Sequence, residues 1–215
     1  MRRIADFLQD NKFVILLMFA GFAYLWIDAT DNINVYDEGL AAYAGMRILH
    51  GGIPYRDFWS LYGPANFYIL AALYKVFGVS ILVGRLWTMA NGFACAVLSF
   101  LIAKLVSSRN FALLAASLTF IWVADAHPSL CNPSTFSSLL GVYFLMLYLY
   151  RKKRRLLFLS GLAFGLTALY RYEMGIPMAI LGAFIIAIFE RYDASLDLHS
   201  SRSKWRKSVN AGIPI

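Results

Sequence analysis

Residues 36–64, YDEGLAAYAGMRILHGGIPYRDFWSLYGP, form the only long stretch of this chain that is both polar and aromatic, and hydrophobic runs flank it on each side. It opens on the acidic pair Asp37-Glu38, directly after the first apolar run has ended. The pattern predicts a helix from Glu38 to His50, with Asp37 as its N-cap and Gly51-Gly52 as its C-terminal stop. Pro54, Arg56, Asp57 and the Gly63-Pro64 corner then break the chain before it turns apolar again. The remainder reads as a scaffold of apolar helices that holds this loop at one face of a membrane.

Composition supports that reading. Of the 215 residues 60% are hydrophobic and only 15% charged, with a mean hydropathy of +0.61. Soluble domains are about half apolar and about a quarter charged. The net charge of +8 does not point to nucleic acid, because the basic residues sit between hydrophobic runs, as juxtamembrane charges do. Cys95 lies within an apolar run and Cys131 in a short loop, so no disulfide is expected between them, and neither has metal-site spacing. The N-terminal run ends at Trp26-Ile27-Asp28 without a small-x-small cleavage site, which makes it a retained anchor.

Six spans are expected: Phe13–Ile27, Leu86–Ala103, Asn110–Ala124, Pro133–Tyr150, Leu156–Tyr170 and Met174–Phe189. The stretch Ala65–Ser80 is apolar but interrupted by Lys75 and Gly78. If it does not cross, Arg2, Arg3, Lys104, Arg109, the run Arg151–Arg155 and the basic tail all fall on the cytoplasmic side. Asp28, Asp31, Asp37, Glu38, Asp57, Asp125 and His127 then fall outside, which satisfies the positive-inside rule throughout. Ala65–Ser80 is therefore expected to lie at the outer interface. The fold class is all-α: a multi-pass bundle of about six spans, with two interfacial helices in the first extracytoplasmic loop and both termini cytoplasmic. Residues 1–190 form the transmembrane module, and residues 191–215 a basic cytoplasmic tail that leads toward a further span.

Asp37 and Glu38 are the first candidates for chemistry. A cap and a favourable helix-dipole contact explain them structurally; a rigidly held carboxylate that accepts a proton explains them functionally, and the two accounts are compatible. Arg85 and Arg171 are basic residues at the outer ends of spans, against the orientation bias. Snorkelling accounts for Arg85, and an ion pair with Glu173 for Arg171. The functional account is phosphate binding, which a planar guanidinium suits. Arg56, Asp57 and Arg47 read as loop charges. Tyr43, Tyr55, Trp59, Tyr62 and Tyr68 make the outer side aromatic, as interfacial anchors or as walls for a sugar ring. The sequence contains no Gly-rich phosphate loop, so a nucleotide-sugar donor is not expected.

The order of these features, Asp37-Glu38 after the first span, then GLAAYAGMRILHGGIPYRDFWSLYGPANFYILAALYKVFGVS, then Gly84-Arg85-Leu86, resembles a known family. It is similar to the bacterial dolichyl-phosphate-mannose protein mannosyltransferase-like glycosyltransferases of the GT-C superfamily. That group includes the lipid A aminoarabinose transferases and the Rgt-type galacturonosyltransferases of lipopolysaccharide, enzymes of the cell envelope. The resemblance runs from about Phe13 to Glu190 and is most specific in its first hundred residues. It implies an inner-membrane enzyme that inverts the anomeric carbon of a polyprenyl-phosphate sugar, needs no cofactor or metal, and acts on a lipid, glycan or protein acceptor.

By the same resemblance Asp37 is the general base, with Glu38 beside it. Arg171 stabilises the leaving phosphate, Arg85 opens the second span, and Arg56, Tyr62 and Glu173 lie at the substrate. Two positions depart from the family pattern. The corner reads Gly63-Pro64 where the aminoarabinose branch has Lys-Pro, and Ser134 follows Pro133 where relatives often carry an acid. The rival reading is a transporter or lipid flippase with Arg171 and Glu173 as gating charges; the enzyme reading predicts that Asp37, Arg85 and Arg171 converge on one outward-facing cavity.

Overall fold

The computed structural model describes residues 2–28, 37–125 and 131–210, and side chains over 12–27, 38–123 and 133–192. Eight helices follow in order: α1 (Arg2–Asp28), α2 (Asp37–Leu49), α3 (Ala65–Phe77), α4 (Ile81–Val106), α5 (Arg109–Asp125), α6 (Cys131–Arg151), α7 (Arg154–Tyr170) and α8 (Tyr172–Asn210). Among the described residues there is no strand, only an isolated bridge between Pro54 and Phe58. The all-helical expectation holds.

Among the described residues, three helical stretches are long and apolar enough to cross a membrane: Ile81–Val106, Pro133–Arg151 and Tyr172–Tyr192. Lys12–Ile27 and Arg109–Val123 are shorter apolar helices, and α7 has 17 residues. The outward faces carry exposed apolar side chains, such as Phe19, Phe111, Phe158, Ile180 and Phe184. At ~1.5 Å per residue, α3 with its 13 residues reaches only about 20 Å, too short to cross a hydrocarbon core of ~30 Å.

α4 is the hub of the bundle. It packs on α1, α5 and α6, while α6 continues the layer onto α7 and α8. Leu25, Met89, Cys95, Ala96, Phe120 and Val123 form the core between α1, α4 and α5. Between α6 and α7 buried hydroxyls bridge the helices beside the Phe164 ring that packs on Gly141. The Thr167 hydroxyl donates to Ser137 Oγ (3.0 Å) and Ser160 to the Gly141 carbonyl (2.8 Å), with all three hydroxyl-bearing residues buried. In a bilayer, such bonds and close small-residue contacts replace the hydrophobic drive that holds soluble helices together.

α2 and α3 form a separate pair around Ala41, Ala44, Phe67, Leu70 and Tyr74. The α2 stop is as expected: Gly51 takes φ +84°, and the Gly52 N–H returns to the Arg47 carbonyl at 2.8 Å. α4 departs from expectation by starting five residues early, at Ile81 rather than Leu86. Ser80 caps it by accepting from the Leu82 N–H (3.2 Å), which places Arg85 inside the helix rather than at its tip. The backbone of α8 runs as one helix from Tyr172 to Asn210, through the stretch expected to form a separate tail.

Candidate active site

Glu38, in the first turn of α2, meets Arg85 of α4. Arg85 Nε donates to Glu38 Oε1 at 2.7 Å and Nη2 to Oε2 at 2.8 Å. The two side chains are only 8% and 6% exposed, so the snorkelling expected of Arg85 does not occur. A buried charge of either sign costs several kcal/mol without a partner, and the parallel two-point geometry is what makes the burial tolerable. Tyr74 of α3, itself buried, packs between α2 and α4. Its ring lies 3.1 Å from where a Cβ on Gly45 would stand, and its hydroxyl 3.6 Å from a Cβ on Gly84. Small residues on α2 and α4 thus admit the ring that packs the three helices together.

Asp37 is the first residue of α2, one position before Glu38, so the ion pair fixes the turn that carries it. The side chains of Asp37, Asp125 and Cys131, together with His127, lie outside the described residues.

The loop after α2 is built on Asp57. Its carboxylate accepts from Arg56 Nε and Nη2, both at 2.9 Å, and from the Ile53 N–H at 2.8 Å. The Arg56 bonds first, then the Ile53 amide, hold the Asp57 carboxyl down to about 2. Arg47 donates to the Asp57 carbonyl at 3.2 Å. Arg56 is thus engaged with Asp57 in this turn, in line with its reading as a loop charge. Tyr55, in the left-handed region at φ +67°, donates from its hydroxyl to the Tyr62 carbonyl at 2.6 Å.

The Gly63-Pro64 corner then docks on the end of α7. The Gly63 N–H donates to the Tyr170 carbonyl at 2.9 Å, and a Cβ at Gly63 would collide with the Leu169 carbonyl oxygen. Only glycine permits that approach. The docking brings the Tyr62 ring under the Arg171 guanidinium, 5.4 Å from its centroid, within cation–π range. Arg171 occupies the single non-helical position between α7 and α8, and its Nε donates to Glu173 at 2.6 Å. The side chain is 24% exposed.

Two constellations result, Glu38 with Arg85 and Tyr62 with Arg171 and Glu173. They are linked through α3. Asn66, two residues past the corner, accepts from Trp87 Nε1 at 3.1 Å, and Trp87 lies two residues beyond Arg85. Tyr74, Asn66, Trp87 and the Gly63 contact were not anticipated. Asn66 was the visible signal, an amide in the first turn of a largely apolar helix, and the structure buries it. Among the described residues, no group of three His, Cys, Asp or Glu side chains could hold a metal ion.

Residues 62–199 match the family model described as Dolichyl-phosphate-mannose-protein mannosyltransferase. The match includes Tyr62, Arg85, Arg171 and Glu173 and begins after Asp37 and Glu38. A protein of Aquifex aeolicus (strain VF5), described as uncharacterized, is 32% identical over 130 residues, 57% of this chain and 26% of that relative. The aligned chain thus spans about a quarter of the relative's length. No solved structure matches the chain.

Proposed function

From the premise that the chain belongs to the dolichyl-phosphate-mannose-protein mannosyltransferase family, we propose that it contributes the site of a membrane glycosyltransferase that moves a sugar from a polyprenyl phosphate to an acceptor hydroxyl. Asp37 takes the proton as the acceptor oxygen attacks the anomeric carbon. The bond from that carbon to the phosphate oxygen breaks, and polyprenyl phosphate leaves with both electrons. Attack from the side opposite the leaving group inverts the centre. Asp37 is the better-placed base of the acidic pair, because both Glu38 oxygens are already engaged by Arg85.

Negative charge develops on the departing phosphate, and Arg171 is the cation that meets it. Tyr62 and Glu173 orient the guanidinium, and fixed charges of this kind accelerate a reaction without reorganising during it. Arg85 acts at one remove, as the positioning residue that locks the turn carrying Asp37. Positive-inside counting puts both constellations at the extracytoplasmic face, in a bacterial inner membrane with both termini cytoplasmic and six crossings. Donor sugars on a lipid phosphate and acceptors of the cell envelope, lipopolysaccharide among them, fit that location.

The observation that carries the proposal is the docking of the Gly63 corner on α7. It ties the loop that follows the acidic pair to the helix break that holds Arg171. The test is transfer from labelled polyprenyl-phosphate sugars in membranes that contain the complete gene product, wild type against Asp37→Asn. Transfer lost at unchanged protein levels supports Asp37 as base. Transfer by both proteins moves the base elsewhere, and transfer by neither favours the transporter reading, with Arg171 and Glu173 as gating charges.

A further inference from the structure

The end of the bundle remote from the Asp37–Arg171 region carries a different feature. Five consecutive basic residues, Arg151–Arg155, run from the end of α6 through the turn at Lys152-Lys153 into the start of α7, all exposed. The last turn of α4 contributes Lys104 and the first residue of α5 is Arg109, both also exposed. The two turns are tied together: the Tyr150 hydroxyl donates to the Leu105 carbonyl at 3.2 Å. Lys152 takes φ +51°, a strained conformation for a lysine, and its ammonium stands 5.7 Å from the Phe189 ring centroid of α8. That contact adds α8, with exposed Arg191, to the same face. Glu190, the acid at this point of α8 among the described residues, accepts from Tyr148 at 3.2 Å.

We propose that these turns form one basic face that binds the phosphate groups of anionic phospholipids. The reading is independent of the transferase assignment. Two observations favour lipid over a soluble polyanion. The cations lie where the apolar helices end, which is the depth of headgroup phosphates. They also stand directly beside exposed apolar side chains, Val106, Phe111, Phe158 and Ile188, which belong in hydrocarbon. Tyr150 and Tyr192, each 61% exposed, sit at the boundary where tyrosine favours the interface. A lipid supplies both the acyl chains for the apolar band and the phosphate for the cations above it.

The test uses the full chain, purified in uncharged detergent and titrated with nanodiscs of phosphatidylglycerol or phosphatidylcholine. Phosphatidylglycerol should bind about tenfold more tightly, and most of that preference should vanish in 0.5 M salt, roughly the range where screening shortens to a few ångströms. The triple change Lys152→Gln, Lys153→Gln, Arg154→Gln should cut the preference, as should Lys104→Gln with Arg109→Gln. Lys75→Gln, on α3, should leave it intact. Phosphatidylcholine binding, read in parallel, exposes a misfolded variant as one that loses both lipids, and the second turn's variant then decides. Equal binding of the two lipids overturns the proposal. So does a preference that neither basic-turn variant reduces, or one abolished by competition with soluble glycerol phosphate at matched phosphate concentration.

Discussion

Glu38 and Arg85, 47 residues apart, are joined by two hydrogen bonds of 2.7 and 2.8 Å with both side chains less than a tenth exposed. Removing one partner deprives the other buried charge of its two-point pairing. Glu38→Met or Arg85→Met should each destabilise the protein by about 3–5 kcal/mol. The double Met variant should recover much of that loss, since two apolar side chains strand no charge. Thermal unfolding in detergent, followed by circular dichroism, reads all three. A double variant no better than the worse single would show that the pair contributes more than mutual neutralisation.

The Gly63 contact yields a different signature. Gly63→Ala places a methyl group against the Leu169 carbonyl oxygen, so the corner must lift from α7 and the Gly63–Tyr170 hydrogen bond must lengthen or break. The bundle of α4 to α8 does not depend on that contact. The change should therefore cost only about 1–2 kcal/mol of stability, one hydrogen bond with local strain, yet lower transfer by an order of magnitude or more. Cross-linking between cysteines placed at positions 61 and 172 should weaken in parallel. An active variant with unaltered cross-linking would dissociate the corner from function.

These two contacts mark where the sequence was readable and where it stopped. The boundaries of α2 followed from local chemistry, an acid at one end and Gly51 with its positive φ at the other, and local chemistry is written in adjacent residues. The start of α4 was misplaced because Arg85 was taken for an interfacial charge. Its partner lies 47 positions away, so nothing nearby in the chain shows that the helix can bury it. Likewise Arg171–Glu173 was foreseeable at a separation of two residues, while the Tyr62 ring against Arg171 depends on the corner that joins the loop to α7. The all-helical class came from hydropathy alone. The Arg56–Asp57 pair was readable as loop charges because the two residues are adjacent.

The turn built on Asp57 predicts a pH response. Its carboxyl is held at about 2 by Arg56 and the Ile53 amide, against an ordinary value of 3.8. The folded value is the lower one, so the contribution of this carboxylate is complete above pH ~4 and disappears as pH falls through about 2. Carbon-13 carboxyl resonances of aspartate-labelled protein, assigned through Asp57→Asn, should show a midpoint near 2 for this residue. A midpoint near 3.8 would mean the turn does not hold the carboxylate in solution.

Arg171 separates chemistry from stability most directly. At 24% exposure its pair with Glu173 belongs among partly solvated ion pairs, which contribute about 1 kcal/mol or less. Arg171→Ala should therefore barely move the unfolding temperature. If the guanidinium meets the departing phosphate, the same change should lower turnover by about 10²–10³, the usual effect of deleting one preorganised charge stabiliser. Arg171→Lys keeps the charge but loses the planar fork and the flat contact with Tyr62, so it should fall between wild type and alanine. Glu173→Gln retains a hydrogen-bond acceptor for Arg171 Nε while removing the competing negative charge, and should reduce turnover less than either arginine change. Turnover and donor KM, measured beside unfolding temperature, resolve the roles. A large drop in unfolding temperature with proportionate loss of transfer would make Arg171 a structural clamp for the Gly63 corner rather than a phosphate ligand.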